Sequence, residues 1–524
     1  MEPSEAPLTG AQVGAAMGFV WVGVTWLVAE AHHAAGLGAG KDRAAAPPDK
    51  PRDTEAGAAA ADPAPAAAPR GPSALLQLAV FHPRALAQHR ETLSAWAQMG
   101  CVMCVFYLCD RTSLVGSSGK SYDRDLFCFL CLAVLAHGWA SSMGASKHTG
   151  YLNRDQTEEW KGMMQVVFLL YHYFKASEAY NWIRVFIAAY VWMTGFGNFS
   201  YYYVRKDFSV SRFVQMMWRL NFFVALCCVC LNNSYMLYYI CPMHTLFTLM
   251  LYFALRIRAD LNETNVGVGV KVGACLALVA AVWEPEGMFD ALWWPLLPLV
   301  RYVNPAKPGG DPMHEWRFRS GLDRYVWVFG MVVAYLHPWA TARLAALDAA
   351  PPARRYALYA AIISAAAAVG WAWYAHVMTL DKFAYNAVHP FTSWVPIALY
   401  ILLRNLHPAA RRYHMEFFAS CGRITLETYI GQFHVWLNSG APDAQPGRLL
   451  SLVPGYPYLN FALASAVYIL IAHRVFHLTN TLKNAHIPTK DDAQLWSNAV
   501  TGACLVAGLW LAGEVVVLMR AGVK

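Results

Sequence analysis

Long apolar segments, separated by short polar intervals, recur along most of the chain and restrict its fold more than any other feature. A helix needs roughly 20 mainly apolar residues to cross a bilayer. Such segments lie near 14–30, 94–109, 125–143, 161–176, 182–203, 213–231, 235–257, 268–283, 324–341, 355–376, 387–404, 415–437, 457–475 and 497–519, with 287–302 as an interfacial or re-entrant piece. The pattern predicts an all-α, polytopic bundle of about thirteen transmembrane helices, give or take about two.

The charge content excludes several other classes of protein. Asp, Glu, Lys and Arg form 14% of the 524 residues, little more than half of the roughly 25% found in soluble domains. We therefore exclude a water-soluble enzyme. The formal charge of +8 is spread over many short polar intervals, so we expect the lipid bilayer and no nucleic acid as a partner.

Three regions follow from the composition. Residues 1–35 contain an N-terminal transmembrane segment, which we expect to remain uncleaved because no basic region precedes it and no cleavage site follows. Residues 36–75 are rich in Ala and Pro and predict a disordered linker. Residues 76–524 predict one integral-membrane domain. Basic loops favour the cytosol, and alternation then places Asn153 to Lys161 there, while the sidedness after about residue 340 stays open.

The cysteines suggest no metal cofactor. Most of the twelve fall inside predicted spans, which favours apolar burial over disulfide bonds. The pairs Cys101/Cys104 and Cys128/Cys131 would offer four thiolates to zinc if their helices faced each other, but we favour burial. The chain also contains no G-x-S-x-G or H-E-x-x-H motif, so a serine hydrolase or a zinc protease has little support.

Ionisable residues inside a predicted span indicate where function should be sought, because charge is costly there. Lys161 opens one span and His172 follows eleven residues later, about 16 Å along the same helix face. An ammonium at the membrane surface can bind phosphates and a deeper imidazole can accept a proton or an acyl group, which suits a coenzyme A thioester. Alternatively, Lys161 is a span-end cation and His172 bonds a neighbouring helix.

Other polar groups in the spans are further candidates. Arg212 and Arg219 share a helix face, and Tyr239 and His244 flank a proline break whose freed carbonyls need partners. His389 precedes Pro390, which favours extended backbone and leaves the imidazole free to point into a cavity.

Arg423, Glu427 and His434 have offsets of four and seven and are expected to form one stripe. In that stripe, Glu427 either neutralises Arg423 or orients a catalytic group.

The run RDQTEEWKG and the following LLYH, within residues 154–172, resemble a multi-span acyltransferase family. It includes the fungal capsule-polysaccharide O-acetylation protein, the plant reduced-wall-acetylation proteins and the membrane part of the animal sialic-acid 9-O-acetyltransferase. Lys161 and His172 are also similar to the Arg-x10-His signature of type-3 integral-membrane acyltransferases, although Lys lacks the bidentate fork of Arg. The resemblance continues through 184–209, 219–224, 234–247, 382–397 and 422–437.

The resemblance implies a membrane O-acetyltransferase that uses cytosolic acetyl-CoA to acetylate hydroxyls of luminal polysaccharides or glycans. It also implies that the protein lies in the Golgi and takes part in the acetylation of cell-wall polysaccharides. Nothing here resembles the luminal hydrolase-like domain of the animal protein, so a separate luminal acetyltransferase is an expected partner, as for the plant proteins. The expected catalytic residues are His172, Glu427 and His389. The expected donor-binding residues are Lys161, Arg212, Arg219, Glu158, Trp160, Tyr239, His244 and Asn386.

Two other functions remain open from the sequence. A transporter of acetyl-CoA or of an acetyl carrier needs the same anion-binding mouth and polar path, but no nucleophile at His172. A scaffold for a luminal transferase needs neither. The acceptor sugar, its hydroxyl, the covalent role of His172 and the oligomeric state do not follow from the sequence.

Overall fold

The computed structural model describes residues 7–35, 72–489 and 491–522. The predicted linker therefore lies almost wholly outside the described residues. In chain order, the first helices are α1 (Gly10–Ala34), α2 (Pro72–Ala79), α3 (Pro83–Arg111), α4 (Arg124–Ser141), α5 (Arg154–Phe174), α6 (Tyr180–Arg205), α7 (Val210–Leu231), α8 (Ile240–Arg256), α9 (Asn265–Trp283), α10 (Met288–Trp293) and α11 (Leu297–Val300).

The later helices are shorter on average. They are α12 (His314–Leu322), α13 (Val326–Tyr335), α14 (His337–Asp348), α15 (Pro352–Trp373), α16 (Lys382–Thr392), α17 (Trp394–Leu406), α18 (Pro408–Arg412), α19 (Glu416–Arg423), α20 (Thr425–Gly431), α21 (Pro457–His486) and α22 (Asp492–Gly522). Five short strands accompany them, namely β1 (Gly116–Gly119), β2 (Met143–Ala145), β3 (Tyr413–Met415), β4 (Leu437–Asn438) and β5 (Arg448–Ser451).

Many of these helices are long and apolar enough to cross a bilayer. Among the described residues there are eight, or nine if the bent pair α16 and α17 is one span. The predicted polytopic helical bundle is thus confirmed. The predicted count of about thirteen also includes helices outside that set, such as the more polar α5 and α6 and the shorter α8, which has 17 residues.

Three segments predicted as continuous spans are interrupted. The segment 324–341 divides into α13 and α14, next to Pro338 in the first turn of α14, and α16 and α17 meet at a bend of 59°. The segment 415–437 becomes α19, α20 and a π-helical turn, Gln432–Trp436, before β4. These breaks free backbone groups, which is tolerated in membrane proteins where neighbouring helices or a cavity can satisfy them.

Two small antiparallel sheets bring distant loops together. One has the order β1-β5-β4 and the other pairs β2 with β3. The second sheet lies at the amino end of α5, because Met415 donates its N–H to Glu159 at 2.9 Å. The first lies at the carboxyl end, where the Lys120 ammonium, just after β1, donates to the carbonyl of His172 at 2.8 Å. Residues 413–415 and 448–451 therefore lie at opposite ends of α5.

The described chain divides into two compact units. The larger comprises Val105–Phe476 and holds both sheets. In the smaller, formed by the described parts of Glu5–Cys104 and His477–Lys524, α1 packs closely on α22. A Cβ at Gly513 would lie 2.0 Å from the carbonyl oxygen of Gly10, so this contact requires small residues, as is common between membrane helices.

Candidate active site

Helix α5 carries His172 near its carboxyl end. The side chain of Asn153 caps the amino end by accepting the N–H of Gln156, and Lys175 follows the last turn with a left-handed φ of 55°. The 21 residues of the helix span about 31 Å, close to the hydrocarbon thickness of about 30 Å. The helix begins seven residues before Lys161, so Lys161 lies within it and not at its start.

Glycines hold α5 firmly against α19. A Cβ at Gly162 would lie 1.8 Å from the carbonyl oxygen of Phe418, and one at Gly422 would lie 2.0 Å from that of Glu158. Only glycine permits backbones to approach so closely at both points. The amino half of α5 is thereby fixed, and the position of His172, nearly three turns beyond Gly162, follows from a rigid helix.

A cavity of about 260 Å³ lies at the carboxyl end of α5, within the larger unit, and His172 lines it. We call it the His172 cavity. Its walls come from α5, α6, α12, α16, α20 and the chain around β4. The aromatic part of the lining is Phe168, Tyr171, Tyr180, Tyr239, Tyr429 and Phe433. The loop between β4 and β5 contributes Gln445 and Pro446.

The imidazole of His172 is held by packing. Its ring makes an edge contact with Phe168 at 4.3 Å between centroids and lies 5.1 Å from the ring of Tyr171. Its Nδ1 is buried and makes no hydrogen bond of regular length and angle among the described residues, although the side chain of Gln432 lies close to the ring. A buried imidazole nitrogen normally has a partner, so this nitrogen is available to a bound ligand.

Four cationic side chains also line the His172 cavity, namely Lys120, Arg184, Arg319 and Lys382. Nε of Arg319 donates to Glu315 at 3.0 Å, and its guanidinium lies 4.3 Å from the ring centroid of Tyr239. The Lys382 ammonium lies 4.9 Å from the ring centroid of Tyr180. None of the described residues that line the cavity is Asp or Glu, so its lining favours an anion.

Lys120 lies in the loop between β1 and α4. Burial, followed by the nearby charge of Lys175, lowers the pKa of the Lys120 ammonium to about 8. Both causes disfavour the charged form. An anion bound beside Lys120 would relieve the cost of that buried charge.

A buried network extends behind the cavity from Arg184. Its Nη2 donates to Asp323 at 2.7 Å, while its Nε and Nη1 have no partner among the described residues. The other oxygen of Asp323 lies 3.3 Å from Nε2 of His389, whose Nδ1 lies 3.0 Å from the hydroxyl of Tyr385. Arg184 is only 1% exposed and lines the cavity. Its bond to Asp323, which His389 also contacts, fixes the orientation of the guanidinium there.

The expectation for the backbone at His389 is wrong. His389 belongs to α16, and its carbonyl accepts the N–H of Ser393 at 3.0 Å. Pro390 sits near the end of that helix, so the bend comes after it. The imidazole of His389 is fully buried and reaches the His172 cavity only through Asp323 and Arg184.

Two other predicted residues lie at or beside the His172 cavity. Tyr239 lines it beneath Arg319. Asn386 lies one contact away, because its side-chain oxygen accepts the hydroxyl of Tyr180 at 3.1 Å and Tyr180 lines the cavity.

Lys161, Glu158 and Trp160 lie towards the amino half of α5, outside the lining of the cavity. The Lys161 ammonium pairs with Glu158 at 2.7 Å. Trp160 is buried and stacks on Tyr400 with ring centroids 4.2 Å apart. Lys161 and His172 thus occupy one helix but separate environments.

The expected stripe of Arg423, Glu427 and His434 is also wrong, because the helix breaks between α19 and α20. Glu427, which is fully buried, forms a bidentate ion pair with Arg219 of α7. Arg423 instead pairs with Glu416 at 2.7 Å. His434 lies in the π-helical turn and bonds Asp110 at 2.7 Å.

The remaining predicted residues lie outside the lining of the cavity. Nδ1 of His244 lies 2.6 Å from the hydroxyl of Thr194. The guanidinium of Arg212 lies 4.1 Å from the ring centroid of Tyr201, and its Nε has no hydrogen-bond partner within the described chain.

Sequence reasoning missed all four cations of the cavity. Arg184 falls inside the predicted span 182–203, so the cost of a charge at that depth was a usable signal. Lys120 and Arg319 come from intervals that no motif distinguishes. Lys382 begins the resembling segment 382–397 but was not recognised as a site residue, and only the fold brings the three together. No group of three or more His, Cys, Asp or Glu side chains suited to a metal occurs in the described part of the chain.

Comparison with known proteins agrees with this architecture. Residues 59–499 match the profile of the 10 TM acyltransferase domain found in Cas1p. The chain belongs to that acyltransferase family. It is also 31% identical over 451 residues to an N-acetylneuraminate (7)9-O-acetyltransferase of Danio rerio, covering 82% of this chain and 55% of the relative. The chain therefore spans about half the length of that curated relative. No solved structure matches it.

Proposed function

We propose that this protein is a membrane O-acetyltransferase that transfers the acetyl group of acetyl-CoA to a hydroxyl of a glycan. Family membership supports acyl transfer, and the name of the Danio rerio relative, an N-acetylneuraminate O-acetyltransferase, supports acetyl as the transferred group and a sugar as the acceptor. The observation that carries the proposal is the imidazole of His172, which lines a cavity with four cationic side chains and whose buried Nδ1 makes no regular hydrogen bond among the described residues.

In this reaction His172 acts as the general base. Its imidazole accepts the proton of the acceptor hydroxyl while the oxygen attacks the thioester carbonyl, and a new ester bond forms as the carbon–sulfur bond breaks. The proton then passes to the coenzyme A thiolate. The alternative order, in which the imidazole first takes the acetyl group and then passes it to the hydroxyl, uses the same residue.

Residues outside the cavity have distinct proposed roles. Lys161 remains our proposal for the donor phosphates, together with Arg212, whose guanidinium makes no ion pair among the described residues. Arg219 and Glu427 satisfy each other, so we assign them to holding α7 against α20. His389 is a positioning residue, because it acts on the cavity through Asp323 and Arg184.

We place the protein in an internal membrane of the secretory pathway, the Golgi, with the donor on the cytosolic side and glycan hydroxyls of the lumen as acceptors. The resemblance to the plant proteins supports this placement and a role in cell-wall polysaccharide acetylation. A luminal acetyltransferase partner would complete the transfer if the sugar does not itself reach the His172 cavity.

The test is release of free coenzyme A from acetyl-CoA by the purified chain, with and without a glycan acceptor. We expect His172→Ala to lower the rate by roughly 10²- to 10⁴-fold, the usual contribution of a general base. His137→Ala is the matched control, since His137 is an exposed histidine on α4 that lies outside the cavity lining, next to Ser141 and against the ring of Phe417; we expect it to retain full activity.

Vesicle experiments separate the enzyme from a transporter. Reconstituted vesicles that accumulate intact acetyl-CoA, at equal rates for the native and His172→Ala proteins, would show that the chain moves the donor without chemistry. If cells that carry the His172→Ala protein still acetylate their product to the normal level, the chain is instead a scaffold for another transferase.

A further inference from the structure

We infer that the His172 cavity binds an anionic group, a carboxylate or a phosphate, through Arg184, Arg319, Lys120 and Lys382. The inference deepens the proposed function, on which it rests for the identity of the ligand. If the acceptor occupies the cavity, it carries an acidic group close to the hydroxyl that is acetylated. If the donor occupies it, one of the donor phosphates lies at this end of α5. Both sources present the same chemistry to the cavity.

The charge balance of the cavity supports this inference. Arg184 is neutralised by Asp323 and Arg319 is paired with Glu315. Lys120 and Lys382 form no ion pair with any described carboxylate. Two positive charges therefore remain in a lining without Asp or Glu. Lys382 is an exposed residue and Lys120 is half-buried, so the unmatched charge of Lys120 is the one for which a partner is most expected.

Arg184 supplies an independent observation. It is 1% exposed and lines the cavity, yet only one of its three nitrogens has a partner among the described residues. An unmade hydrogen bond to a buried charged group is costly. An anion that accepts a hydrogen bond from Nη1 or from Nε would give a partner to a nitrogen that lacks one, and a guanidinium is well suited to carboxylates and phosphates.

The size of the cavity limits the ligand. Its volume of about 260 Å³ is just below the range of roughly 300–1,000 Å³ that holds drug-sized molecules. One sugar-sized unit or one phosphate group fits such a space, whereas a whole coenzyme A does not. The anion is therefore close to the reacting atoms, because His172 shares the same cavity.

The position of the cations argues against a role in membrane orientation. Lys120 lies at the end of α5 opposite to Asn153, and the predicted alternation assigns that end to the side away from the cytosol. Basic residues are disfavoured in such loops. A ligand explains why several of them gather here.

The experiment measures binding to the purified full chain in nanodiscs, with no acetyl group present. The probes are glucuronate, its neutral counterpart glucose, inorganic phosphate and coenzyme A. We expect at least one anion to bind more tightly than glucose, and Lys382→Gln to weaken that anion by roughly tenfold, as expected for the loss of a charge-assisted hydrogen bond. Lys382→Arg should restore the affinity.

Lys307→Gln is the matched control, because Lys307 is an exposed lysine that does not line the cavity; it should leave all affinities unchanged. Loss of glucuronate binding alone assigns the site to an acidic acceptor, and loss of coenzyme A binding, with or without that of inorganic phosphate, assigns it to the donor. The inference is overturned if the native chain binds glucose as tightly as the anions, or if Lys382→Gln and Lys120→Gln bind every anion like the native chain. An absence of acetyl transfer would refute the proposed function without altering these measurements.

Discussion

Arg184 depends on Asp323 more than on any other described residue, because both side chains are buried and the pair is 2.7 Å apart. Breaking such a pair leaves an uncompensated charge. We predict that Asp323→Asn destabilises the protein by roughly 3–5 kcal/mol, although Asn still offers His389 an acceptor. Removing both charges, in Arg184→Met/Asp323→Asn, should recover much of that loss. Thermal unfolding of the two variants in detergent checks this order, and equal losses would contradict it.

The pKa of Lys120 leads to a prediction of how anion binding to the cavity changes with pH. Its pKa of about 8 means that the ammonium is charged below that pH and neutral above it. His172 and Lys175 from the end of α5, with Arg184, Arg319 and Lys382 across the cavity, add no compensating negative charge. We expect glucuronate affinity to fall roughly tenfold between pH 7 and pH 9, as one charged donor is lost. Titrating Lys120→Arg provides the comparison, because Arg remains charged and its curve should be flat. If the affinities of the native and Lys120→Arg proteins fall in parallel as the pH rises, the change in affinity is due to another group.

The sequence predicted some residue positions well, and the physical reason is local geometry. Helical rise alone places His172 about 16 Å beyond Lys161, and α5 contains both. The partners of buried charges could not be predicted in this way. Glu427 meets Arg219, which is 208 positions away, whereas the local rule pointed to Arg423. Which cation reaches a buried carboxylate is decided by helix packing.

At the scale of the helix, the contact between α5 and α19 leads to a further prediction. A Cβ at Gly162 would lie 1.8 Å from a carbonyl oxygen that belongs to the backbone and cannot move aside. We expect Gly162→Ala to destabilise the protein by roughly 1–3 kcal/mol, the usual cost of overpacking, and to reduce activity by moving His172.

Gly197→Ala is the control for that substitution. Gly197 lies on the exposed face of α6 and a Cβ there would meet nothing within 4 Å. Alanine favours helix over glycine by about 1 kcal/mol, so the variant should be as stable as the native chain or slightly more so. Melting temperatures compare the two, and a loss in both would indicate that glycine matters for helix flexibility and not for the close contact.

The elements that were predicted least well are those in which a continuous apolar segment contains a bend or a break in the helix. Hydrophobic content marked 387–404 as one span, but the chain bends by 59° within it. Apolar composition reports which residues avoid water, not where a helix changes direction. Pro390 was visible as a signal, although it acts one turn later than expected and leaves His389 helical.

At the scale of the whole molecule, contacts between loops settle which ends of the larger unit belong together. Asp348 pairs with Arg411, whose carbonyl accepts from Asn153 at 3.1 Å. Residues 348–351 therefore lie at the amino end of α5. The hydroxyl of Tyr302 donates to the carbonyl of Asp443 at 2.9 Å, which places the 303–311 loop near the strands β4 and β5, at the carboxyl end. The sidedness left open after residue 340 can now be predicted from that of Asn153.

A topology experiment tests this arrangement. A glycosylation reporter on a flexible linker, inserted between the exposed Gly309 and Gly310, should be modified in cells, because the predicted alternation places that end of α5 in the lumen. The same reporter inserted between Ala349 and Ala350 should remain unmodified, because it shares the cytosolic end with Asn153. Modification of the second reporter alone would reverse the orientation and expose the His172 cavity to the cytosol. Modification of both would contradict the pairing of ends itself, since Asp348 and Asp443 would then face the same side.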